Sequence, residues 1–506
     1  MTNPDRPNIL LITTDQQQWK AQGSVNLLVR TPALDRLAAE GTRFDRAYCP
    51  NPTCTPSRAS IITGKYPSQH GAWALGTKLD EGQPTVGRML AERGYRTSLI
   101  GKAHFQQNQS TPEHPSIESM PHLFDFDWWN QFSGPFYGFD HVELLRHHAY
   151  QRQAGAHYGL WLEKKEAGAS KAYFRGGESF DETAAEDHIW TIPEEYHYNT
   201  WIVERTHARL AAAAESDRPF FLWASFPDPH APLGAPECWI RQYDPDRMPV
   251  PSVAEDEHER NPPHFALTRE RDPDFSAWSE SGQGMHGMSS HLLSESEIRR
   301  RISAYYAMTS YTDEAVGRIL ETLDSLGLAD QTLVVFTSDH GDFMGEHGLR
   351  TKGPFHYEEL VRVPFIVRYP GVVPAGKTSD TLQSLVDLAP TFLAAGDCDL
   401  PLDMSGRNQW DVWTGRRSAV RDHVLIENRH EPTTICLKTY VDEDTKITTY
   451  FNRDYGELYD LKNDPGETHN RWQDPDYAAL KANLLLRLVH AQTSIEPLPM
   501  PRVSVA

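Results

Sequence analysis

The stretch Asn8-Ile9-Leu10-Leu11-Ile12-Thr13-Thr14-Asp15-Gln16 runs from an apolar, β-prone core straight into an acid and an amide. Its core is apolar on both faces, so it reads as a buried strand of a parallel sheet covered by helices. Thr332 to Ser338 repeats the pattern and ends at Asp339-His340. Arg96 to Ile100 leads into Gly101-Lys102-Ala103-His104, and Pro219 to Phe226 leads into Pro227-Asp228-Pro229-His230. Val363 to Tyr369 is a further candidate strand.

Helical patterns lie between these runs. Thr31 to Glu40 carries a Thr-Pro start and stops at Gly41, and Ile298 to Leu326 has apolar residues at helical spacing and stops at Gly327. The alternation predicts an α/β fold, a large mixed, mostly parallel sheet sandwiched by helices, over residues 1–400. A change of texture follows. Val424 to Ile426 and Lys446 to Phe451 read as short strands and Tyr477 to Ala491 as a helix, giving a smaller C-terminal α+β domain over 401–506. In open α/β sheets the ligand crevice lies at the carboxyl ends of the strands, and four polar clusters stand at four such ends here.

The 506 residues are 39% hydrophobic and 24% charged, the composition of a globular protein. Lys plus Arg is 49 against 70 Asp plus Glu, a net charge of −21. That surface disfavours nucleic acid and anionic membrane as partners, and any anion site must gather its own positive charge. The amino-terminal apolar run is too short for a signal peptide and no run approaches a membrane span, so a cytoplasmic location is expected. Five cysteines, Cys49, Cys54, Cys238, Cys398 and Cys436, form neither a disulfide framework nor a zinc-ribbon pattern.

Two irregular inserts stand out: His122 to Tyr158, crowded with aromatics and histidines, and Trp278 to Ser294, rich in Ser, Gly, Met and His. Each reads either as a wall of a substrate pocket or as surface decoration. The proline-bearing tail from Glu496 to Ala506 reads as extended, either an arm that holds a partner subunit in a homo-oligomer or a frayed end.

Asp15 and Asp339 each follow a buried strand, where an unpaired carboxylate is costly. Either alone reads as a turn or cap. Together, each followed by a side chain able to coordinate, Gln16 and His340, they call for a divalent cation. Arg58, Lys102, Lys352, His104 and His230 supply cationic and titratable groups near motif turns, the clamp that an anionic group in transfer needs. Cys54 alone reads as a small buried hydrophobe. That does not explain why it opens Cys54-Thr55-Pro56-Ser57-Arg58-Ala59-Ser60-Ile61-Ile62-Thr63-Gly64.

This run resembles the sulfatase signature of the alkaline phosphatase superfamily, Cys-x-Pro-Ser-Arg followed by Thr-Gly, with Ile62 where Leu is more usual. Asp15-Gln16 and Asp339-His340-Gly341 resemble the two metal pairs. Gly101 to His104 resembles the Gly-Lys-Trp-His element, His230-Ala231-Pro232 a His-x-Pro element, and Lys352 the late active-site lysine. Leu458-Tyr459-Asp460-Leu461 with Asp464-Pro465 and Glu467 resembles the C-terminal signature. The resemblance implies a small anionic ester as substrate and Cys54 oxidised to formylglycine by a separate formylglycine-generating enzyme. It also implies one divalent metal ion held by Asp15, Gln16, Cys54, Asp339 and His340. Gln16 and His340 depart from the commoner Asp and Asn, and the pairs resemble those of phosphonate monoester hydrolases and related bacterial arylsulfatases. Calcium is the metal the wider family implies; the nitrogen ligand makes manganese the alternative.

The mechanism so implied hydrates the Cys54 aldehyde to a geminal diol. One hydroxyl, on the metal and held by Arg58, attacks sulfur and gives a covalent sulfated hemiacetal. Lys102, Lys352 and His230 neutralise charge, His230 or Lys352 protonates the leaving oxygen, and His104 assists collapse of the hemiacetal. The expected activity is arylsulfatase-like hydrolysis of sulfate esters. The rival is a phosphonate monoester or phosphodiester hydrolase using the same site. A two-zinc phosphatase lacks its second set of ligands in this sequence, and a non-catalytic binding protein predicts an eroded nucleophile or clamp, which is not seen.

Overall fold

A computed structural model describes residues 6–146, 154–174, 188–254, 256–282, 290–498 and 500–503. Eight strands form the large sheet: β1 (Asn8–Thr14), β2 (Thr42–Phe44), β4 (Arg96–Lys102), β5 (His141–Leu145), β6 (Phe220–Ser225), β7 (Thr332–Ser338), β9 (Phe365–Arg368) and β10 (Lys377–Ser379). Their order is β10-β2-β9-β7-β1-β6-β4-β5. From β7 to β5 every pairing is parallel, while β9 runs antiparallel to both β7 and β2. A small sheet of β3 (Ala47–Tyr48), β8 (Arg362–Val363) and β11 (Gln383–Ser384) lies apart from it.

The sheet is mixed and mostly parallel, as expected, and its strands are buried on both faces. Ile9 and Leu11 of β1 pack in one apolar layer with Phe221, Trp223, Val335 and Phe392. Leu10 and Ile12 pack in the opposite layer with Leu222, Val334, Trp201 and Val316. Alternate side chains of one strand thus serve two helical layers, which is why no polar alternation shows in the sequence.

The helix Pro32–Glu40 starts at Thr31 with Pro at its first position and ends at Gly41, as read from the sequence. The long helix spans Glu295–Ser325 and begins three residues before the expected Ile298, because Ser294 and Glu297 form a reciprocal capping box. The expected strand from Val363 to Tyr369 is split between two sheets. Pro364 has no N–H to give a ladder, and the chain passes there from β8 to β9.

At the carboxyl end an antiparallel sheet, β12 (Val424–Arg429), β13 (Cys436–Val441), β14 (Thr445–Tyr450) and β15 (Gly456–Asp460), packs against the helix Ala478–Ser494. The sequence pattern picks out β12 and β14 but not β13 and β15. The His122–Tyr158 insert is not wholly irregular. It contains β5, the edge strand of the large sheet, and a helix starts at Ala156; residues 147–153 lie outside the described residues. Of the Trp278–Ser294 insert, residues 283–289 lie outside the described residues, and short 3-10 turns flank them. In the tail, residues 496–498 and 500–503 carry no helix or strand. No helix among the described residues is long and apolar enough to cross a membrane.

Candidate active site

Register builds the centre of the site. β1 and β7 are parallel neighbours with Thr14 opposite Ser338, so the next residues, Asp15 and Asp339, leave the sheet side by side. Both carboxylates are fully buried. The Asp15 N–H donates to the carbonyl of Asp228 at 3.1 Å, which holds the acid at its strand end.

Cys54 opens the helix Cys54–Thr63, whose ten residues are all buried and which stops at Gly64 in a left-handed conformation. Arg58 lies one turn further along and shares a face with Cys54. Its guanidinium bridges the two acids: Nε donates to Asp339 Oδ2 at 2.7 Å and Nη2 to Asp15 Oδ2 at 3.4 Å. Nη1 donates to the Lys102 carbonyl and to Ser225 Oγ, both at 2.8 Å. Arg58 thus occupies Oδ2 of each acid; Asp15 Oδ1 is left toward Cys54, and Asp339 Oδ1 accepts the backbone N–H groups of Gln16 and His340, each at 3.0 Å.

The other strand ends complete the ring. Lys102 closes β4 and pairs its ammonium with Asp15 Oδ2. Gly101 has φ +108, and a Cβ there would lie 1.9 Å from the Ser225 carbonyl, so glycine alone lets β4 and β6 approach where Lys102 turns in. His340 Nε2 lies 3.2 Å from Cys54 Sγ, and Asp15 Oδ1 lies 3.6 Å from it. Lys352 Nζ is 2.9 Å from the same sulfur and 2.8 Å from His230 Nε2. His104 is buried beside this ring in a left-handed conformation, φ 58, its N–H donating to Glu118 Oε1 at 2.7 Å.

The electrostatics follow from burial set against this charge density. Burial and Asp15 push the Cys54 thiol up, but Lys352, Lys102 and His340 outweigh them and hold it below the ordinary thiol value. Burial pushes Asp15 up as well; Lys102, His230, Arg58 and Lys352 bring it well below the carboxylate range. Burial and then Lys352 drive His230 far below the ordinary histidine value. Burial and Lys102 do the same to His104. His340 is raised, because Asp339 and Cys54 overcome its burial.

The residues fit a divalent cation. Ligand atoms of Asp15, Cys54, Asp339 and His340 lie within 4.8 Å of one another. Gln16 Oε1 is buried and has no hydrogen-bond partner, while its Nε2 donates to Asp342 Oδ2 at 2.5 Å. Gln16 also sits at φ 66, a left-handed conformation for a non-glycine residue. A set of carboxylate oxygens, an amide oxygen and an imidazole nitrogen suits a metal between the hard and borderline classes.

Of the ten expected residues, Cys54 and seven others thus form this ring. Gln16 joins through its backbone N–H, which donates to Asp339 Oδ1 at 3.0 Å, and through its partnerless oxygen. His104 lies beside the ring, within electrostatic reach of Lys102, Asp15 and Arg58. Several supporting residues escaped the sequence reading. Asp342 orients Gln16. Glu118 accepts the N–H groups of His104, Phe105 and Gln106 and fixes that loop. Asp228, pushed up to about 7 chiefly by burial, accepts hydrogen bonds from Tyr198 and Asn199. Asp342 carried a signal, lying three residues after a metal-pair acid; Glu118, in a Ser/Pro-rich loop, carried none.

A buried cysteine under a cationic clamp at the carboxyl ends of a mostly parallel sheet is an arrangement suited to an anionic ester. The sulfatase family pattern matches residues 7–398, and the pattern described as N-sulphoglucosamine sulphohydrolase, C-terminal, matches 345–494. The chain belongs to the sulfatase family, within the alkaline phosphatase superfamily, and is a sulfuric ester hydrolase. It is 30% identical to the uncharacterized sulfatase YidJ of Escherichia coli (strain K12), over 95% of this chain and 86% of that one. It is 28% identical to an arylsulfatase of Clostridium perfringens (strain 13 / Type A), over 93% and 91%. Its fold matches that of the phosphonate monoester hydrolase of Agrobacterium radiobacter with a TM-score of 0.77, at 24% identity and covering 97% and 96% of the two chains.

Proposed function

We propose that this chain hydrolyses small sulfate monoesters of the arylsulfatase type, with residue 54 as the nucleophile after a formylglycine-generating enzyme has oxidised Cys54. The observation that carries the reading is the position of Cys54 Sγ, 2.9 Å from Lys352 Nζ and 3.2 Å from His340 Nε2 beside a carboxylate pair braced by Arg58. As the aldehyde hydrate, residue 54 supplies two hydroxyls, one to attack sulfur and one to release the transferred group without leaving a stable ester. Asp15, Gln16, Asp339 and His340, with residue 54, would hold a divalent cation, calcium first and manganese second, which would supply Lewis-acid stabilisation of an oxyanion nucleophile.

The chain's own groups do the rest. Arg58 fixes both acids by their Oδ2 atoms and leaves Asp15 Oδ1 toward residue 54. Lys102 and Lys352 place positive charge over the transferring group, where water is excluded and a fixed charge acts strongly. The contact between Lys352 and His230 makes them the pair that delivers a proton to the leaving oxygen. His104, held neutral by burial and its cationic neighbours, accepts the proton from the second hydroxyl.

The test is the mass of the Cys54 peptide from a host with the converting enzyme, read beside turnover of an aryl sulfate. Exchange of the CH2–SH group for CHO, with turnover lost in Cys54→Ala, is expected. Full activity of the Ala variant would sink the reading. A second reading, phosphonate monoester or phosphodiester hydrolysis on the same site, is favoured by the Asp15-Gln16 and Asp339-His340 pairs and by the phosphonate monoester hydrolase likeness. Sulfate monoesters and phosphodiesters both present one negative charge to the clamp. The ratio of kcat/KM for matched aryl sulfate and aryl phosphonate esters separates the two.

A further inference from the structure

Gln16 brings to the site a side chain with two chemically unlike ends. Its Oε1 can serve a cation and its Nε2 cannot, so its use as a ligand depends on which end faces the ion. The backbone around it is pinned. The Gln16 N–H donates to Asp339 Oδ1 at 3.0 Å, and the Gln16 carbonyl accepts the Tyr305 hydroxyl at 2.6 Å. The Gln17 N–H donates to Ser338 Oγ at 2.9 Å and the Gln18 N–H to the Tyr305 hydroxyl oxygen at 2.7 Å. With the main chain held on both sides, the orientation of the Gln16 amide is left to its side-chain partner.

That partner is Asp342, which is buried. Its Oδ2 accepts Gln16 Nε2 at 2.5 Å, its Oδ1 accepts the Met344 N–H at 2.8 Å, and its carbonyl accepts Gln18 Nε2 at 2.8 Å. A carboxylate offers acceptors only, so the amide meets it nitrogen first and Oε1 is turned away from it. Oε1 is buried and has no hydrogen-bond partner. The charge on Asp342 also polarises the amide that it holds, which strengthens the oxygen as a ligand. The same bonds fix what an amide at this position does. In Asp342→Asn the Met344 N–H keeps the side-chain oxygen on its own side, and the new NH2 group is left toward Gln16. Gln16 then answers with Oε1 and presents Nε2 in its place.

We infer that Asp342 is a positioning residue for the metal site: it acts through Gln16, fixing the amide so that its oxygen and not its nitrogen is offered to the cation. The inference rests on the reading of Asp15, Gln16, Asp339 and His340 as ligands of a divalent cation.

The test is calorimetric titration of calcium alone and of manganese alone into metal-stripped protein, with the Tm of each stripped protein as a check of folding. The proteins are the wild type, Asp342→Ala, Asp342→Asn and the double variant Gln16→Glu/Asp342→Asn. The expected order of affinity is wild type, then Ala, whose Gln16 amide turns freely, then Asn, which enforces the wrong end and weakens binding about 10–100-fold. A packing role predicts the reverse order for the two single variants, because Asn nearly matches Asp in shape and Ala leaves a hole. The double variant moves the carboxylate from position 342 to position 16 with shape and net charge kept, and is expected to recover most of the lost affinity. Wild-type affinity in Asp342→Asn, weaker binding by Ala than by Asn, or a double variant no tighter than Asp342→Asn overturns the inference. If Asp342→Ala does not fold, the two variants that keep the native shape decide the matter. A wild type that binds neither ion strikes the metal reading itself, and the inference falls with it.

Discussion

Arg58 Nε donates to Asp339 Oδ2 at 2.7 Å, 281 residues away in the chain, and both side chains are completely buried. The same guanidinium reaches Asp15, so one arginine neutralises the two acids that end neighbouring strands. Removing one partner of a buried ion pair strands the other charge. Arg58→Met is therefore expected to destabilise the metal-free protein by about 3–5 kcal/mol and to abolish turnover. Arg58→Lys keeps the charge but not the planar fork, and recovers stability only in part. Denaturant unfolding curves of the three proteins, with an aryl sulfate assay, measure both effects.

The partnerless Gln16 Oε1, beside ligand atoms of Asp15, Cys54, Asp339 and His340 gathered within 4.8 Å, predicts metal dependence in folding as well as in activity. Chelation is expected to lower Tm and stop turnover, and calcium or manganese to restore both. At a free metal concentration 100-fold above its Kd the gain is about 2.7 kcal/mol. Unchanged Tm across a titration of either ion would remove the metal from the proposal.

His347 stands outside the ring but governs the loop that brings in Lys352. It is buried in a left-handed conformation, φ 56, stacks on Tyr357 at 3.6 Å, and meets Glu257 at 2.6 Å and Glu359 at 3.2 Å. His258 bonds to its carbonyl, and Lys20 pairs with Glu359 while lying near Glu346. Burial lowers the basicity of His347, but the two hydrogen-bonded carboxylates outweigh it and raise its pKa to about 10. A histidine whose folded pKa is raised contributes stability that is complete below its unfolded value near 6.5 and is lost as pH climbs through about 10. Wild-type stability should thus decline across that alkaline window, and His347→Gln should be less stable at pH 6 with a flatter profile. Parallel pH profiles of the two proteins would refute this.

Gly101 is expected to be intolerant of any side chain. At φ +108, Gly101→Ala meets a conformational cost of about 1–3 kcal/mol before the clash with the Ser225 carbonyl is added. Because Lys102 follows directly, kcat should fall together with Tm. A variant of wild-type stability and activity would show that the β4–β6 contact is looser than described.

The four strand ends were legible in the sequence because runs buried on two faces leave an unmistakable apolar signature and the chemistry begins where that signature stops. The supports were less legible. β13 and β15, two of the four strands of the antiparallel sheet, carry polar residues such as Lys438 and Glu457 that blur the pattern. β5 was concealed in an insert of aromatics and histidines. Glu118 and the Glu257–His347–Glu359 clamp lie on loops without periodicity, where residue type alone does not reveal a partner.

The sequence by itself determined the kinds of group available and their local order: an acid after β1, an acid and an imidazole after β7, a lysine closing β4, and a cysteine four residues before an arginine. Only the tertiary structure decided which of them touch. The register of Thr14 against Ser338 sets Asp15 beside Asp339, and the folding of the 343–352 loop brings Lys352 to within 2.9 Å of Cys54 across 298 residues. Local pattern reports how each segment meets solvent; the meeting of segments depends on strand order, register and packing, which no single stretch contains.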